Sequence, residues 1–465
     1  MSTDRRKFLK HLGTSVLLTS ASLNSFAAKE ENEVRILRDQ KRVSPSDKVR
    51  IATIGMGIMG FNDTRAALAV PGVDLVGVCD LYKGRLTRSK EVYGQNLFTT
   101  MDHREILDRK DIDAVIIATS DNWHSQIAID AMRKGKAVYS EKPMVHKISQ
   151  GLEEIRVQKE TKAVFQVGSQ RVSSIAYRKA KEMYEAGVIG KINSIEASFN
   201  RNSGLGAWQY TLPNDANLQN VDWSRFQATA SEKHDFDPLR FFRWRNYREY
   251  GTGVAGDLFV HLLSGIHFIT GSKGPETIFS IGNLDYWKDG RNVPDVMSAV
   301  IHYGETKEHP AFQVTLRVNF VSGEGDYGTT KIVGSEGVID LGGEGESFTI
   351  RKNHITEAPG IGGWDSLETY PEAEQKKLLA AYNQRWTKVQ QEAPKTDPIV
   401  YRAPENYSAN IDHMTNFFDA IRTGKPIVED AVFGFRAAAP ALACNDSYFQ
   451  KKVIRWDAEN MKIVG

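Results

Sequence analysis

From Val49 onward, short apolar runs alternate with helical patterns. Val49-Arg50-Ile51-Ala52-Thr53-Ile54 predicts a strand, Thr64 to Val70 a helix ended by Pro71-Gly72, and Val73 to Cys79 a second strand. The continuous run Ala114-Val115-Ile116-Ile117-Ala118-Thr119 predicts a strand buried on both faces, as in a parallel sheet. A helix through Met132, a strand at Ala137 to Glu141, a helix from Gly151 to Glu160 and a strand at Ala163 to Val167 complete the series. Strands alternating with helices predict a doubly wound parallel sheet. Further along, Phe312, Val314, Leu316, Val318 and Phe320 alternate with Gln313, Thr315, Arg317 and Asn319, the period of a strand with one buried and one polar face. Residues 351–400 break this scheme: Ala358 to Gly363 is loop-like and Glu372 to Gln391 helical and polar, as in an insertion.

Candidate chemistry enters at the end of the first strand. Gly55-Met56-Gly57-Ile58-Met59-Gly60 follows it directly, a G-x-G-x-x-G between strand and helix. The first glycine permits a tight turn, the second lets backbone approach a pyrophosphate, and the third lets helix pack on strand. The anion would sit at the helix N-terminus, where N–H groups and the dipole favour negative charge. Asp80, 20 residues after Gly60, stands where an acid binds ribose hydroxyls. A carboxylate there favours NAD over NADP by repelling a 2′-phosphate, although Lys83, Arg85 and Arg88 just beyond keep NADP open. Ligands of such sheets gather at the carboxyl ends of strands. Gly55, Asp80, Ser120, Lys142 and Arg171 all fall there.

The glycine turn, Ala118-Thr119-Ser120-Asp121-Asn122-Trp123-His124, Glu141-Lys142-Pro143, the stretch Gly251 to His261 and Asn416 to Arg422 together resemble the Gfo/Idh/MocA family of nicotinamide-dependent sugar and cyclitol oxidoreductases. The resemblance spans most of residues 49–457. It implies a Rossmann domain over 49–170 and, over 171–465, an α/β domain with a large, mostly antiparallel open sheet that carries substrate and subunit contacts. The cofactor set expected on this basis is Gly55, Gly57, Ile58, Met59, Gly60, Asp80, Ser120, Asn122, Trp123, His124, Glu141, Lys142 and Arg171. A homo-oligomer through the open sheet is also implied.

Moving a hydride from a carbinol carbon to nicotinamide requires a base for the hydroxyl proton and a group to stabilise developing charge on oxygen. Asp257 and His261, at i and i+4 of an expected helix, share a face. The resemblance sets this face opposite the nicotinamide with Lys142 nearby. His261 is accordingly expected as acid/base, Lys142 as stabiliser of the alkoxide or proton-relay partner, and Asp257 as orienter of His261 or ligand of substrate hydroxyls. No third ligand at metal-site spacing accompanies Asp257 and His261 on that helix, so no metal is expected. Ser264 stands where family members often carry an acid, and is expected to hydrogen-bond substrate. Trp208, Trp223, Phe241, Phe242, Trp244 and Tyr247 interleave with Arg240, Arg243, Arg245 and Arg248, a composition suited to stacking on sugar rings. Of these Trp244 and Tyr247, with Arg171, are the substrate candidates, and His234 is a secondary one. His267 lies off the expected face and reads as core.

Composition narrows the alternatives. Across 465 residues, 60 Lys and Arg face 58 Asp and Glu, without the concentrated basic excess of a nucleic-acid binder. Two cysteines, Cys79 and Cys444, cannot build a disulfide framework or a cysteine metal cage. Arg5-Arg6-Lys7 followed by a mildly apolar stretch and Ser25-Phe26-Ala27 matches a twin-arginine export signal over 1–27, with 28–48 as a polar arm. With no cysteine near that site, no lipid anchor is expected. Removing 1–27 leaves 56 basic against 57 acidic residues, so the basic excess belongs to the signal. This route carries folded proteins, so a periplasmic enzyme with a tightly held nicotinamide cofactor is expected. Two other readings share the residues: an NAD-dependent glycoside hydrolase that oxidises, eliminates and recycles its cofactor in place, and a non-catalytic carbohydrate binder.

Overall fold

A computed structural model describes residues 48–342 and 345–464. The signal and most of the polar arm expected from the sequence lie outside the described residues. The chain divides into two compact units. One contains residues up to 175 together with 210–252 and 403–438; the other contains 176–209, 253–402 and 439–465. A single boundary near 170 therefore misses two later segments that fold with the Rossmann unit.

In the first unit, six parallel strands run in the order β3-β2-β1-β4-β5-β6. These are β1 (Val49–Ile54), β2 (Val73–Cys79), β3 (Phe98–Thr100), β4 (Ala114–Ile117), β5 (Ala137–Ser140) and β6 (Phe165–Val167). All four residues of β4 are buried, as its unbroken apolar sequence demands. The connecting helices are α1 (Ile58–Ala69), α2 (Lys83–Tyr93), α3 (His103–Asp108), α4 (Asp121–Arg133) and α5 (Ile148–Thr161). Helix α1 begins six residues before the apolar pattern does, because its first turn is built from the glycine motif and carries no periodic signal. One face of the sheet packs Val49, Ile51, Ile116 and Tyr139 against Ala67 and Val70 and, from the returning helix at Ala409–Thr423, Met414, Phe417 and Phe418.

Residues 210–252 form a strap across the carboxyl ends of this sheet. Its core is aromatic: Trp223, Phe226, Phe241, Phe242, Tyr247 and Tyr250 pack with Tyr82 from beyond β2. Its edges are polar and stitched to successive strand ends. Lys83 N–H donates to Asn220 O (2.9 Å) and Asp222 N–H to Leu81 O (2.9 Å). Arg225 donates to Met101 O (2.6 Å), and Trp123 Nε1 to Phe226 O (2.9 Å). Thr252 donates both its N–H (2.9 Å) and its hydroxyl (2.7 Å) to Asp121 Oδ2.

The second unit is built on a ten-stranded sheet in which β8 (Phe312–Asn319) lies parallel to β7 (Ile192–Asn200) and every other pairing is antiparallel. Phe312, Val314, Leu316 and Val318 are buried and Gln313, Thr315 and Arg317 exposed, the alternation read from the sequence. Residues 351–400 contribute the exposed helix Glu372–Arg385, none of whose residues is buried. Among the described residues no helix is long and apolar enough to cross a membrane.

Glu154 on α5 is fully buried, and burial lifts its carboxyl from 4.5 to about 8, with Ser125 on α4 pulling the other way. The unfolded chain therefore loses this proton near pH 4.5 while the folded chain keeps it. Stability due to this group is complete at low pH and falls by about 1.4 kcal/mol per pH unit up to about pH 8. Glu154→Gln should gain in urea midpoint over the parent progressively from pH 5 to pH 8. A difference that is flat across that range would contradict the assignment.

Candidate active site

The glycine turn shows three distinct constraints. Gly55 adopts φ +94°, and a Cβ there would lie 2.5 Å from Ala118 O, so β1 and β4 approach too closely for any side chain. A Cβ on Gly60 would lie 1.9 Å from Gly55 O. Gly57 differs: its nearest neighbour is Arg85 Cζ at 4.0 Å, so its missing side chain leaves open space rather than relieving a clash inside the fold. Helix α1 begins there with no side-chain cap and no acid in its first turn, leaving its N–H groups and positive dipole end for an anion. These features fit the pyrophosphate of a dinucleotide.

A cleft of about 1010 Å³, counting its open mouth, runs from this turn along the strand ends under the strap. Of the residues expected from sequence, Gly55, Gly57, Ile58, Met59, Asp80, Ser120, Trp123, His124, Glu141, Lys142 and Trp244 line it. Asp80 is buried at the end of β2. Its Oδ2 accepts from Met56 N–H (2.7 Å), its Oδ1 from Tyr82 N–H (2.8 Å), and Arg85 Nη1 lies 3.5 Å from Oδ2. The carboxylate is thus aimed by backbone and partly balanced by a guanidinium. Ser120 Oγ donates to Asn122 Oδ1 (2.7 Å), orienting the start of α4. His124 is fully buried, with ring nitrogens 2.8 Å from Pro143 O and 3.2 Å from Thr119 O, and burial lowers its basicity. It ties the peptide after Lys142 to α4. Glu141 and Lys142 follow β5, and the Lys142–Pro143 bond is cis.

Other expected residues do different work. Gly60 serves packing. Asn122 donates Nδ2 to Thr229 Oγ1 (2.8 Å) and so anchors the strap. Arg171 is buried in a short 3₁₀ turn, Gln170–Ser173, and does not line the cleft. Tyr247, expected to contact substrate, is packed in the strap's aromatic core with Arg240 4.5 Å over its ring and is not among the residues lining the cleft. His234 Nε2 faces Glu249 at 3.9 Å, and Glu249 also meets Arg240 at 3.4 Å, so this group reads as strap structure. Sequence reasoning missed Asp121, Met101, His103, Arg225 and Phe226 as cleft residues. Arg225 and Phe226 carry no local signal, because only the strap's path over the sheet brings them there.

Asp257, His261 and Ser264 belong to the second unit. Asp257 is buried in a π-helical turn, Ala255–Phe259, which leads into the α-helix Val260–Thr270. The α-helical register assumed for the Asp257–His261 pair is therefore widened by a π-turn, a feature frequent at functional sites. The His261 ring meets the edge of Phe199 at 6.4 Å. Ser264 is fully buried and its hydroxyl donates to His261 O (3.2 Å).

Comparison with known proteins places this arrangement. The description "Oxidoreductase family, NAD-binding Rossmann fold" matches residues 49–169, and "Oxidoreductase family, C-terminal alpha/beta domain" matches 181–455. A scyllo-inositol 2-dehydrogenase (NAD(+)) from Bacillus subtilis is 35% identical over 145 residues, 31% of this chain and 42% of that protein. A glycosyl hydrolase family 109 protein from Shewanella sp. (strain MR-4) is 35% identical over 153 residues, 30% of this chain and 33% of that protein. The alignments thus span less than half the length of these relatives. Among solved structures, scyllo-inositol dehydrogenase from Lactobacillus casei with bound NAD(H) and scyllo-inositol has a TM-score of 0.58 at 17% identity, covering 88% of this chain and 99% of that one. Levoglucosan dehydrogenase in complex with NADH and levoglucosan has 0.60 at 18%, with the same coverage. These structural likenesses establish the fold.

Gly57→Ala should leave the melting temperature unchanged but weaken NAD binding at least tenfold, because its methyl meets nothing in the fold and enters the anion site. Gly60→Ala should lower the melting temperature outright. Equal effects of the two on stability would refute the distinction. With the strap, the glycine turn and both matched regions taken together, the chain belongs to the Gfo/Idh/MocA oxidoreductase family.

Proposed function

We propose that this protein is an NAD(H)-dependent oxidoreductase that moves a hydride between nicotinamide and a hydroxyl or keto carbon of a sugar, glycoside or cyclitol. The observation that carries the reading is the strapped cleft, which joins Asp80 to Lys142 along the strand ends. Bound there, the cofactor would be held by the glycine turn and Asp80, and would supply the hydride acceptor. Lys142, buried at the strand end, stabilises the developing alkoxide or relays its proton. His261 as acid/base and Asp257 as its orienter complete the proposed set, on the strength of the family resemblance. Asp80 favours NAD; Arg85 beside it moderates the discrimination against NADP. Association of copies through the open sheet face, export by the twin-arginine route and action in the periplasm belong to the same proposal.

The strap also supports retention. A cofactor covered by a segment stitched to several strand ends leaves slowly, and slow departure is the usual source of tight binding. In a compartment poor in free nicotinamide, a retained cofactor must be recharged by a second substrate or by return of the hydride to the same molecule. The second route is the glycoside-hydrolase reading, favoured by the similarity over 153 residues to glycosyl hydrolase family 109 proteins.

Purified, desalted protein should release close to one equivalent of nicotinamide nucleotide on denaturation. Incubated with aryl glycosides and no added cofactor, it should yield either a keto sugar or free aglycone, which distinguishes the two readings. Protein that is empty and inert toward both would refute the proposal. Lys142→Ala should cut turnover by about 10² to 10⁴ with nucleotide affinity within a few-fold of the parent. Near-normal turnover would remove Lys142 from the chemistry.

A further inference from the structure

Among the described residues, one group of imidazole and carboxylate ligand atoms converges, and it lies wholly within the strap. Glu232, His234 and Glu249 each offer one atom, and the three atoms lie within 4.8 Å of one another. His234 Nε2 stands 3.9 Å from Glu249, too far for a hydrogen bond. That nitrogen is shut off from solvent and has no hydrogen-bond partner among the described residues. A buried polar atom without a partner carries a desolvation cost, so it points to a group that meets it.

The surroundings fix two of the three ligands. The His234 backbone is pinned on both sides: its N–H donates to Gln227 Oε1 and its carbonyl accepts from Trp223 Nε1, each at 2.9 Å. The neighbouring Lys233 ammonium is directed elsewhere, donating to Gln227 O and Ala228 O. Glu249 is 7% exposed, and Arg240 donates to its Oε2 at 3.4 Å while lying 4.5 Å over the Tyr247 ring. The guanidinium thus meets one carboxylate oxygen, and the other faces His234. Outer contacts of this kind orient metal-ligating carboxylates. Ligand atoms around a tetrahedral zinc ion stand about 3.4 Å apart. The His234–Glu249 separation is a small side-chain rotation from that value, and Glu232, which is exposed, can close the remainder.

We propose that Glu232, His234 and Glu249 bind a divalent zinc-type metal ion that ties two separately fastened parts of the strap to each other. An imidazole with two carboxylates is a donor set for Zn²⁺, whereas Mg²⁺ and Ca²⁺ favour oxygen ligands throughout. Water takes the positions the protein leaves open. His234 hangs from the Trp223–Gln227 segment, which is held on the first unit by Arg225 at Met101 O and by Phe226 O at Trp123. Glu249 stands three residues before Thr252, which is fastened to Asp121 on α4. A metal at this point shortens the free path of the strap between those anchors. None of the three ligands lines the cleft, so the role is structural and the inference stands apart from the cofactor reading.

The test needs neither substrate nor nucleotide. Full-length protein is treated with EDTA, desalted, and titrated with Zn²⁺ by calorimetry and with Co²⁺ by visible absorption. Zn²⁺ should bind at one equivalent per chain with micromolar or tighter affinity, and bound Co²⁺ should absorb more intensely than the hydrated ion. Saturating Zn²⁺ should raise the melting temperature of the parent, since a ligand of the folded state stabilises it. His234→Ala and Glu232→Gln should each weaken Zn²⁺ binding at least tenfold, and His234→Ala should lose the thermal shift. His302→Ala, which removes the imidazole of another His–Glu pair (3.7 Å), should leave both unchanged. Undiminished affinity in folded Glu232→Gln or His234→Ala would overturn the inference. So would a parent that binds no Zn²⁺ at micromolar concentration, or binds Mg²⁺ as tightly; these outcomes use the parent alone, so they hold even if a variant does not fold.

Discussion

The first unit depends on one close backbone approach. With Gly55 against Ala118 and Gly60 against Gly55, three elements meet at distances that no side chain could share. Strands β1 and β4 are thereby joined at their carboxyl ends, and α1 starts directly above them with its N–H groups unsatisfied. The ends of β2 and β5 are placed by the parallel register on either side. The open N-terminus of α1, Asp80 and Lys142 all take their positions from that contact.

The strap shows how a segment can be tied down without obscuring what it covers. Its aromatic residues bury one another and Tyr82, which supplies the hydrophobic stabilisation. Its polar contacts go mainly to backbone groups or buried carboxylates at the strand ends, where an unpaired partner would carry a desolvation cost. The division leaves a lined passage beneath the strap rather than a filled core. It also explains why an interleaved run of aromatics and arginines need not be a sugar platform. Tyr247 and Arg240 stack on each other within the strap, while Trp244 and Arg245 reach the cleft.

Charge is managed differently at the two ends of the cleft. At the Asp80 end a buried carboxylate accepts from two backbone N–H groups and lies 3.5 Å from the Arg85 guanidinium. Toward the Lys142 end, burial and nearby Glu141 hold the Asp63 carboxyl well above the usual carboxylate range, with Lys142 opposing them.

Much of this was legible in the sequence by itself. The glycine spacing, Asp80, Glu141-Lys142-Pro143 and the two hydrophobic periods specify the parallel sheet, the dinucleotide turn and the open antiparallel sheet, because these signals are local and follow from backbone geometry. What only the tertiary structure decided lies between segments distant in sequence. Residues 210–252 and 403–438 fold with the Rossmann unit, Tyr247 packs in the strap's aromatic core, the Ser264 hydroxyl donates to its own helix, and the helix at Asp257 opens into a π-turn. Asp63 is the sharpest instance. Three residues past the glycine motif it reads as an ordinary polar position on a helix, and its raised proton affinity arises only when folding buries it within electrostatic reach of Glu141 and Lys142. Periodicity reports which face of an element is buried; it does not report which charges burial will bring together, because that depends on contacts the chain makes far from its own neighbours.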